Sequence, residues 1–446
     1  MSILYRLVRK LVPAATAVAC LSGMTGSALA GDLWQTYQAA LDHDPGLKAA
    51  LHRKQGAMEA LPQSTAALYP SASVSTQHGL YKQSTLDKDS YDTSGFSLSI
   101  MVPLFHRDRL VGLDMAKTGM DMAELGYLLE QQQQVLRVAE KYFNVLSAEE
   151  SLTVALAEET AMKRQLDLAK EGLSAGTAII TEVQEAQSGV DFAKAQVVAS
   201  RNAVLQRQRE LTELTGLRDK SLQLLPLKQD IPLKEPDPTL PDRWVEDGLE
   251  NNANLKIMRA KQVQATQGVE KARAEHFPTV DATTGYSYSD SGGSNFWTGG
   301  VPTSKTNYVT VQLNVPLYAG GATVSKVRQA EQALQEAQYE LERSRQEVET
   351  GIRNAYLDVQ TAIAQATAFK QALTSSSSVL QTTRESHAAG LRTMLDVLNA
   401  ERDVFRAMRN LADSRYRYIL GALRLKFNAG QLVSQDLSNI NEWLKK

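Results

Sequence analysis

The chain has 446 residues, a formal net charge of −2, a single cysteine and only 6% aromatic residues. That balance lacks the basic footprint of a nucleic-acid binder. The low aromatic content, with few prolines and much Ala, Gln, Glu, Leu and Arg, argues for an elongated helical protein rather than a string of compact domains.

The first thirty residues carry Arg6, Arg9 and Lys10, an apolar run from Leu11 to Leu21, and Ala28-Leu29-Ala30 before Gly31. This is the layout of a secretory signal peptide, with an apolar run too short for a spanning helix. The alternatives are a retained anchor and lipidation at Cys20, for which Ala17-Val18-Ala19 is a poor lipobox. Cleavage removes three positive charges and no negative one, so the net charge goes from −2 to −5 and no cysteine is left. A cysteine-free chain suits export to an oxidising compartment without disulfide staples. Beyond Gly31 no uncharged apolar stretch reaches the eighteen or so residues of a transmembrane helix, so membrane insertion requires strands.

Residues 34–68 read as helix, capped by Asp32 and kinked or restarted at Pro45. Leu68-Tyr69-Pro70 then turns the chain into extended structure. Strands follow from Ala72 to Tyr81 and from Phe96 to Phe105 (FSLSIMVPLF), separated by a polar loop from Lys82 to Ser94. In the second strand Phe96, Leu98, Ile100 and Val102 alternate with Ser97, Ser99 and Met101, the period of a strand with one apolar face. In the first, Ala72 and Val74 lie on the apolar side.

A helical pattern then runs from about 107 to 172. At 1.5 Å per residue, roughly 65 residues make a rod of about 100 Å. Its apolar positions form two adjacent seams: Leu128, Val135, Val138, Tyr142, Val145 and Leu152, and beside them Leu129, Leu136, Ala139, Phe143 and Leu146. Two seams imply a helix neighbour on each side, as in a helical cylinder. The tip Ala175 to Gly189 (AGTAIITEVQEAQSG) leads into a second helix, 181–215, with Gly216 as C-cap.

The whole order then recurs. Trp244 to His276 is helical, with Asp242 standing to Trp244 as Asp32 stands to Trp34. Phe277-Pro278 turns the chain, and strands run from Val280 to Tyr288 and from Val309 to Tyr318 (VTVQLNVPLY) around a loop from Ser289 to Asn307. Val280, Ala282, Tyr286, Tyr288, Val309, Val311, Leu313 and Val315 take the apolar side. Helices at 322–387 and 394–429 flank a second tip, Ala389 to Asp403 (AGLRTMLDVLNAERD), which lies 214 positions after the first. The polar runs Gln131 to Gln134 and Ser375 to Ser378 read as solvated helix faces. The domain reading is a signal peptide at 1–30, a first repeat at 31–225, a proline-rich linker at 226–241 and a second repeat at 242–446.

Four strands of about ten residues match an outer membrane crossing. Four cannot close a barrel, and open edges are not tolerated in lipid. Two copies give eight strands and a filled interior, whereas three give about twelve and a passage. The fold class is therefore mainly α with a membrane β-barrel, and if the purpose is a passage the trimer is the better solution.

The order of signal peptide, helix, hairpin ending in VPLF, long helix with Lys141-Tyr142-Phe143-Asn144-Val145-Leu146, tip AGTAIITEV, and then VPLYAGG and GLRTMLDVLNAERD, resembles the TolC family of outer membrane channel-tunnel proteins. The match covers Asp32 to about Asn439. The resemblance implies a homotrimer whose strands share one outer membrane barrel and whose helices form a tunnel across the periplasm. It implies docking on a periplasmic adaptor and an inner-membrane ABC or proton-driven transporter, for type I protein secretion or drug efflux.

It further implies a periplasmic gate made by links between helix pairs at the tips. By position the gate residues are Thr181 and Glu182 on the first tip and His387 and Arg392 on the second: Arg392 reaches Thr181, and His387 faces Glu182. His387 stands where the pattern usually has tyrosine, so that protonating it beside Glu182 would tighten the latch. Asp396 matches an acidic ring at the pore constriction; the bland alternative is a helix N-terminal acid complementing the macrodipole. The second ring position is Asn399, which leaves a single ring. Tyr69, Phe105, Phe277 and Tyr318 flank the junction prolines as interface aromatics, or as ordinary packing at a bend. There is no HExxH, Cys/His spacing, phosphate loop or Ser-His-Asp arrangement, so the reading includes no enzyme and no cofactor, and energy must come from a partner. The rival is a periplasmic helical adaptor without a pore, which has no use for strands with an apolar face.

Overall fold

A computed structural model describes residues 31–85, 87–217, 224–228, 230–291 and 303–445. The signal peptide expected at 1–30, with Cys20, lies outside the described residues. Three short helices open the chain: α1 (Leu33–His43), α2 (Pro45–Met58) and α3 (Ala60–Ala66). Asp32 caps α1 by accepting from the Gln35 N–H at 2.6 Å. Pro45 restarts the helix, with Asp44 accepting from the Gly46 N–H at 2.8 Å. Pro62 withholds a donor from the next turn, and the chain breaks again at Glu59.

The hairpin β1 (Ser71–Thr85) and β2 (Asp87–Phe105) leads into α4 (Arg107–Ser174), and α5 (Ile180–Thr215) returns. The second repeat is α6 (Pro241–Asn251), α7 (Ala253–Ala274), β3 (Thr279–Ser291), β4 (Thr303–Asn314), α8 (Ala322–Ala388) and α9 (Met394–Asn428), closed by α10 (Ser434–Asn441). Here Pro241 occupies the first helical turn, so Asp242 lies inside α6 and pairs with Arg353 at 3.0 Å instead of capping as Asp32 does. At 68 and 67 residues, α4 and α8 are rods of about 100 Å. Among the described residues no helix is long and apolar enough to cross a membrane.

The four strands form one antiparallel sheet in the order β1-β2-β3-β4. Its register puts Val74 against Leu98, Leu98 against Tyr286, Ile100 against Thr284 and Ala282 against Val311. The apolar positions of all four strands thus share one face, where Phe96 stacks with Tyr286 and Tyr288 at 5.7 and 5.8 Å between ring centres. The other face carries hydroxyls, including Ser73–Ser99 and Ser75–Ser97 hydrogen bonds at 2.9 and 2.8 Å.

Two sequence expectations change. The loop expected from Lys82 to Ser94 is strand: β1 and β2 pair as far as Thr85 with Asp87. Likewise β3 reaches Ser291 and β4 begins at Thr303, inside the loop expected at 289–307. The ladder is made by backbone groups, so it continues through polar residues once the apolar face no longer needs covering. Conversely, β4 stops before Val315-Pro316-Leu317-Tyr318 although β2 runs through its VPLF twin. Val315 lies beyond Thr279, where its partner strand β3 begins.

The main core lies midway along the helices, where Val135, Val138, Tyr142 and Val145 of one seam and Ala139, Phe143 and Leu146 of the other are buried with Trp244, Ile352, Tyr356, Tyr416 and Ile419. Leu128 is exposed, although α2 passes that level of α4, where Lys54 pairs with Glu124 at 2.9 Å. Gln132 and Gln134, read as a solvated face, are buried at the same level, where the C-terminal turn covers them and Gln132 donates to the Gly430 carbonyl at 3.4 Å. The interrepeat segment wraps this waist: Leu224 bridges to Gly31 and Leu227 to Leu444, and the Tyr142 hydroxyl donates to the carbonyls of Gly31 and Leu225 at 3.2 and 3.3 Å.

Candidate functional site

The helix tips, about 100 Å from the sheet, bring most of the expected gate residues together. Each long helix ends in the same turn. Gly176 and Gly390 adopt φ +74° and +73°, the left-handed conformation that a side chain disfavours. The Thr177 N–H closes on the Gly172 carbonyl at 2.8 Å, and the Leu391 N–H on Ser386 at 2.9 Å.

The next helices start differently. Ile179 has no side chain with which to cap α5. Thr393 caps α9: its hydroxyl accepts from the Asp396 N–H at 3.2 Å, while Oδ2 of Asp396 accepts from the Thr393 N–H at 3.0 Å and the Thr393 hydroxyl at 2.9 Å. These hydrogen bonds from Thr393, backbone first, with a smaller contribution from Arg392, hold the Asp396 carboxyl below its ordinary range. Arg392 lies 3.8 Å from Oδ1 of Asp396 across one helical turn.

Between the tips is a cavity of about 980 Å³, lined by Glu182, His387, Arg392 and Asp396 together with Arg164, Gln165, Arg384 and Thr177. Thr181 and Asn399 are exposed outside this lining, and Arg392 meets Asp396 in place of Thr181 within the chain. Asp396 thus makes the capping contacts of the bland reading, with its side chain half-exposed. Tyr69, Phe105, Phe277 and Tyr318 stand at the strand–helix junctions, all exposed, with Arg107 over the Phe277 ring at 5.6 Å. Beside them His106 contacts Asp281 at 2.9 Å and ties the start of α4 to β3.

Sequence reasoning passed over a second set of residues. Three arginines of α9 reach acids of α4: Arg409 to Glu158 at 2.7 Å, Arg415 to Glu150 at 2.5 Å and Arg424 to Glu140 at 2.7 Å. These rungs join the first repeat to the second. Toward the tip Glu401 of α9, fully buried, accepts on Oε1 from Gln165 of α4 at 2.7 Å and from Arg384 of α8. The signal was present: Met394, Val397, Leu398, Glu401 and Val404 lie on one stripe of α9, all buried, and Glu401 is its one charge. A small apolar cluster, Met162, Leu166, Ala169, Ala186, Val190, Ala193, Met394 and Leu398, packs the tip separately from the waist.

The sequence pattern of the family described as outer membrane efflux protein matches residues 36–217 and, a second time, 244–431. Outer membrane protein TolC of Vibrio cholerae is 30% identical over 441 residues, covering 98% of this chain and 99% of that one. Alkaline protease secretion protein AprF of Pseudomonas aeruginosa is 27% identical over 423 residues, covering 92% and 86%. Among solved structures, the outer membrane protein VceC of Vibrio cholerae superposes with a TM-score of 0.75 at 18% identity, over 89% of this chain and 96% of that one.

Proposed function

The chain belongs to the outer membrane efflux protein family, and from that premise we propose that it is the passive outer membrane exit duct of a tripartite export system, carrying secreted proteins or small toxic compounds across the periplasm and outer membrane. The observation that carries the reading is the sheet. One face is apolar across all four strands, the other is lined with hydroxyls, and the β1 and β4 edges have no partner in the chain. A sheet of that kind is stable in lipid only when copies close it, and three copies supply about twelve strands. The long helices continue the same cylinder into the periplasm and present their tips to a periplasmic adaptor and an inner-membrane transporter.

The gate belongs at the tips. His387 and Glu182 share one cavity, which supports a latch between the inner and outer helix pairs. Arg392 is exposed and so is Thr181, as residues meeting across neighbouring surfaces must be. Three copies of Asp396 would set a single acidic ring at the constriction, with Asn399 adding no charge. The exposed junction aromatics suit a membrane interface. Deleting the protein and surveying secreted proteins and sensitivity to toxic compounds tests the duct. An unchanged secretome and unchanged sensitivity, or protein that fractionates with the soluble periplasm, would sink it.

A further inference from the structure

We infer that Glu401 is a positioning residue of the gate, the lowest rung tying the tip of α9 to α4 and α8; this rests on the gate reading above. Three observations carry it. First, the α4–α9 seam is a ladder. At Glu158–Arg409, Glu150–Arg415 and Glu140–Arg424 the acid comes from α4 and the cation from α9. Second, the rung nearest the tip reverses this polarity. There α9 supplies the acid, α4 an amide and α8 the cation, so one fully buried side chain joins three helices instead of two. Third, the rung is half made. Both donors converge on Oε1, and Oε2 has no hydrogen-bond partner among the described residues.

A buried carboxylate is costly to desolvate, and its partners offset that cost only as far as they saturate it. The Glu401 rung holds the tip while leaving part of its desolvation cost uncompensated, as a contact that must release on opening requires. Opening then pivots between Glu401 and Arg409, and the tip cluster around Met394 and Leu398 moves with the lower segment.

The test is single-channel recording of the purified full-length protein in planar bilayers, with four variants. Glu401→Gln keeps the shape and removes the charge. Arg384→Gln alters a half-exposed side chain, and so stays informative if the first variant fails to assemble. The exchange R384E/E401R returns both charges in reversed order, and the Gln165 amide can accept through Oε1 as readily as it donates through Nε2. Arg392→Ala probes the gate reading itself. The expected result is an open probability raised roughly tenfold for each 1.4 kcal/mol of closed-state stabilisation removed in Glu401→Gln and Arg384→Gln, with recovery in the exchange. If Arg392→Ala leaks while both single variants stay closed, or if the exchange leaks as much as they do, the assignment of Glu401 is overturned and the gate survives. If no variant leaks, the gate reading falls and takes this inference with it. Lowered thermal stability with unchanged open probability marks Glu401 as structural only and also overturns the inference.

Discussion

The Asp396 carboxylate accepts the backbone N–H and the hydroxyl of Thr393 and leaves Oδ1 toward Arg392. With its pKa lowered in the folded state, its contribution to holding α9 is present above the ordinary value of 3.8 and is lost only as pH falls through the lower folded value. In the proposed ring these hydrogen bonds oppose the rise that neighbouring like charges cause and so favour the charged form between pH 5 and 8. Cation preference in planar bilayers should therefore be flat across that window and fall in Asp396→Asn; a midpoint within it would show that another group sets selectivity. Glu149 is the opposite case. Burial raises its pKa above 4.5, and the Gln208 amide, donating at 3.2 Å, only partly counters this. A carboxyl with a raised folded pKa costs stability at neutral pH, and the cost disappears below its unfolded value. Glu149→Gln retains an acceptor for Gln208, so its melting temperature at pH 7 should exceed that of the parent by about a few °C at most. At pH 4 the two should melt together, and an equal gain at both pH values would rule out ionisation as the cause. These residue-scale roles were only partly visible in sequence. Thr393 and Asp396 stand at capping-box spacing, which is local, but Glu149 and Glu401 are defined by what packs on them from α5, α8 and α4.

At the scale of elements, period and punctuation carried most of the fold. The long helices fall within two residues of their expected ends because an Ala-Gly turn closes each at the tip, while α4 opens directly after β2 at His106 and α8 opens at the left-handed Gly321. The strand faces were legible for the same reason, since alternation from Phe96 to Val102 and from Val309 to Leu313 fixes which side chains share a surface. Strand length was not, because polarity governs side chains and the ladder is backbone. Neither was the difference between VPLF and VPLY, which depends on where the paired strand β3 begins. The face assignment has a direct consequence. Leu98→Arg puts a cation on the apolar face, where a mid-membrane arginine costs about 2–4 kcal/mol per copy, and it should abolish the heat-modifiable oligomer. Ser97→Arg, one residue away on the hydroxyl face, should assemble normally and lower the conductance of open channels. Loss of assembly in both, or in neither, would show that the sheet does not face lipid as proposed.

On the scale of the whole molecule, each described chain leaves two strand edges open, at β1 and β4. In water an open edge is an aggregation hazard; in lipid each unsatisfied backbone group costs several kcal/mol. The membrane-inserted monomer is therefore excluded on energetic grounds, and the copy number is decided by what fills the barrel. Eight strands leave an interior just wide enough for side chains. The hydroxyl face opposes that solution, because Met101 and Tyr308 are its few large side chains, Ser73, Ser75, Ser97, Ser99 and Ser287 leave it mostly small, and its polar groups require water. About twelve strands enclose water and satisfy them. The helices agree, since Phe192, Leu357, Val379 and Tyr339 remain exposed along them for the next copy to cover. Native mass spectrometry in detergent should therefore give three chains per particle, and co-expression of tagged and untagged chains should give four species differing by one tag each. Two chains per particle, or three species, would mean an eight-stranded barrel with no passage, and would refute the exit-duct reading together with the gate built on it.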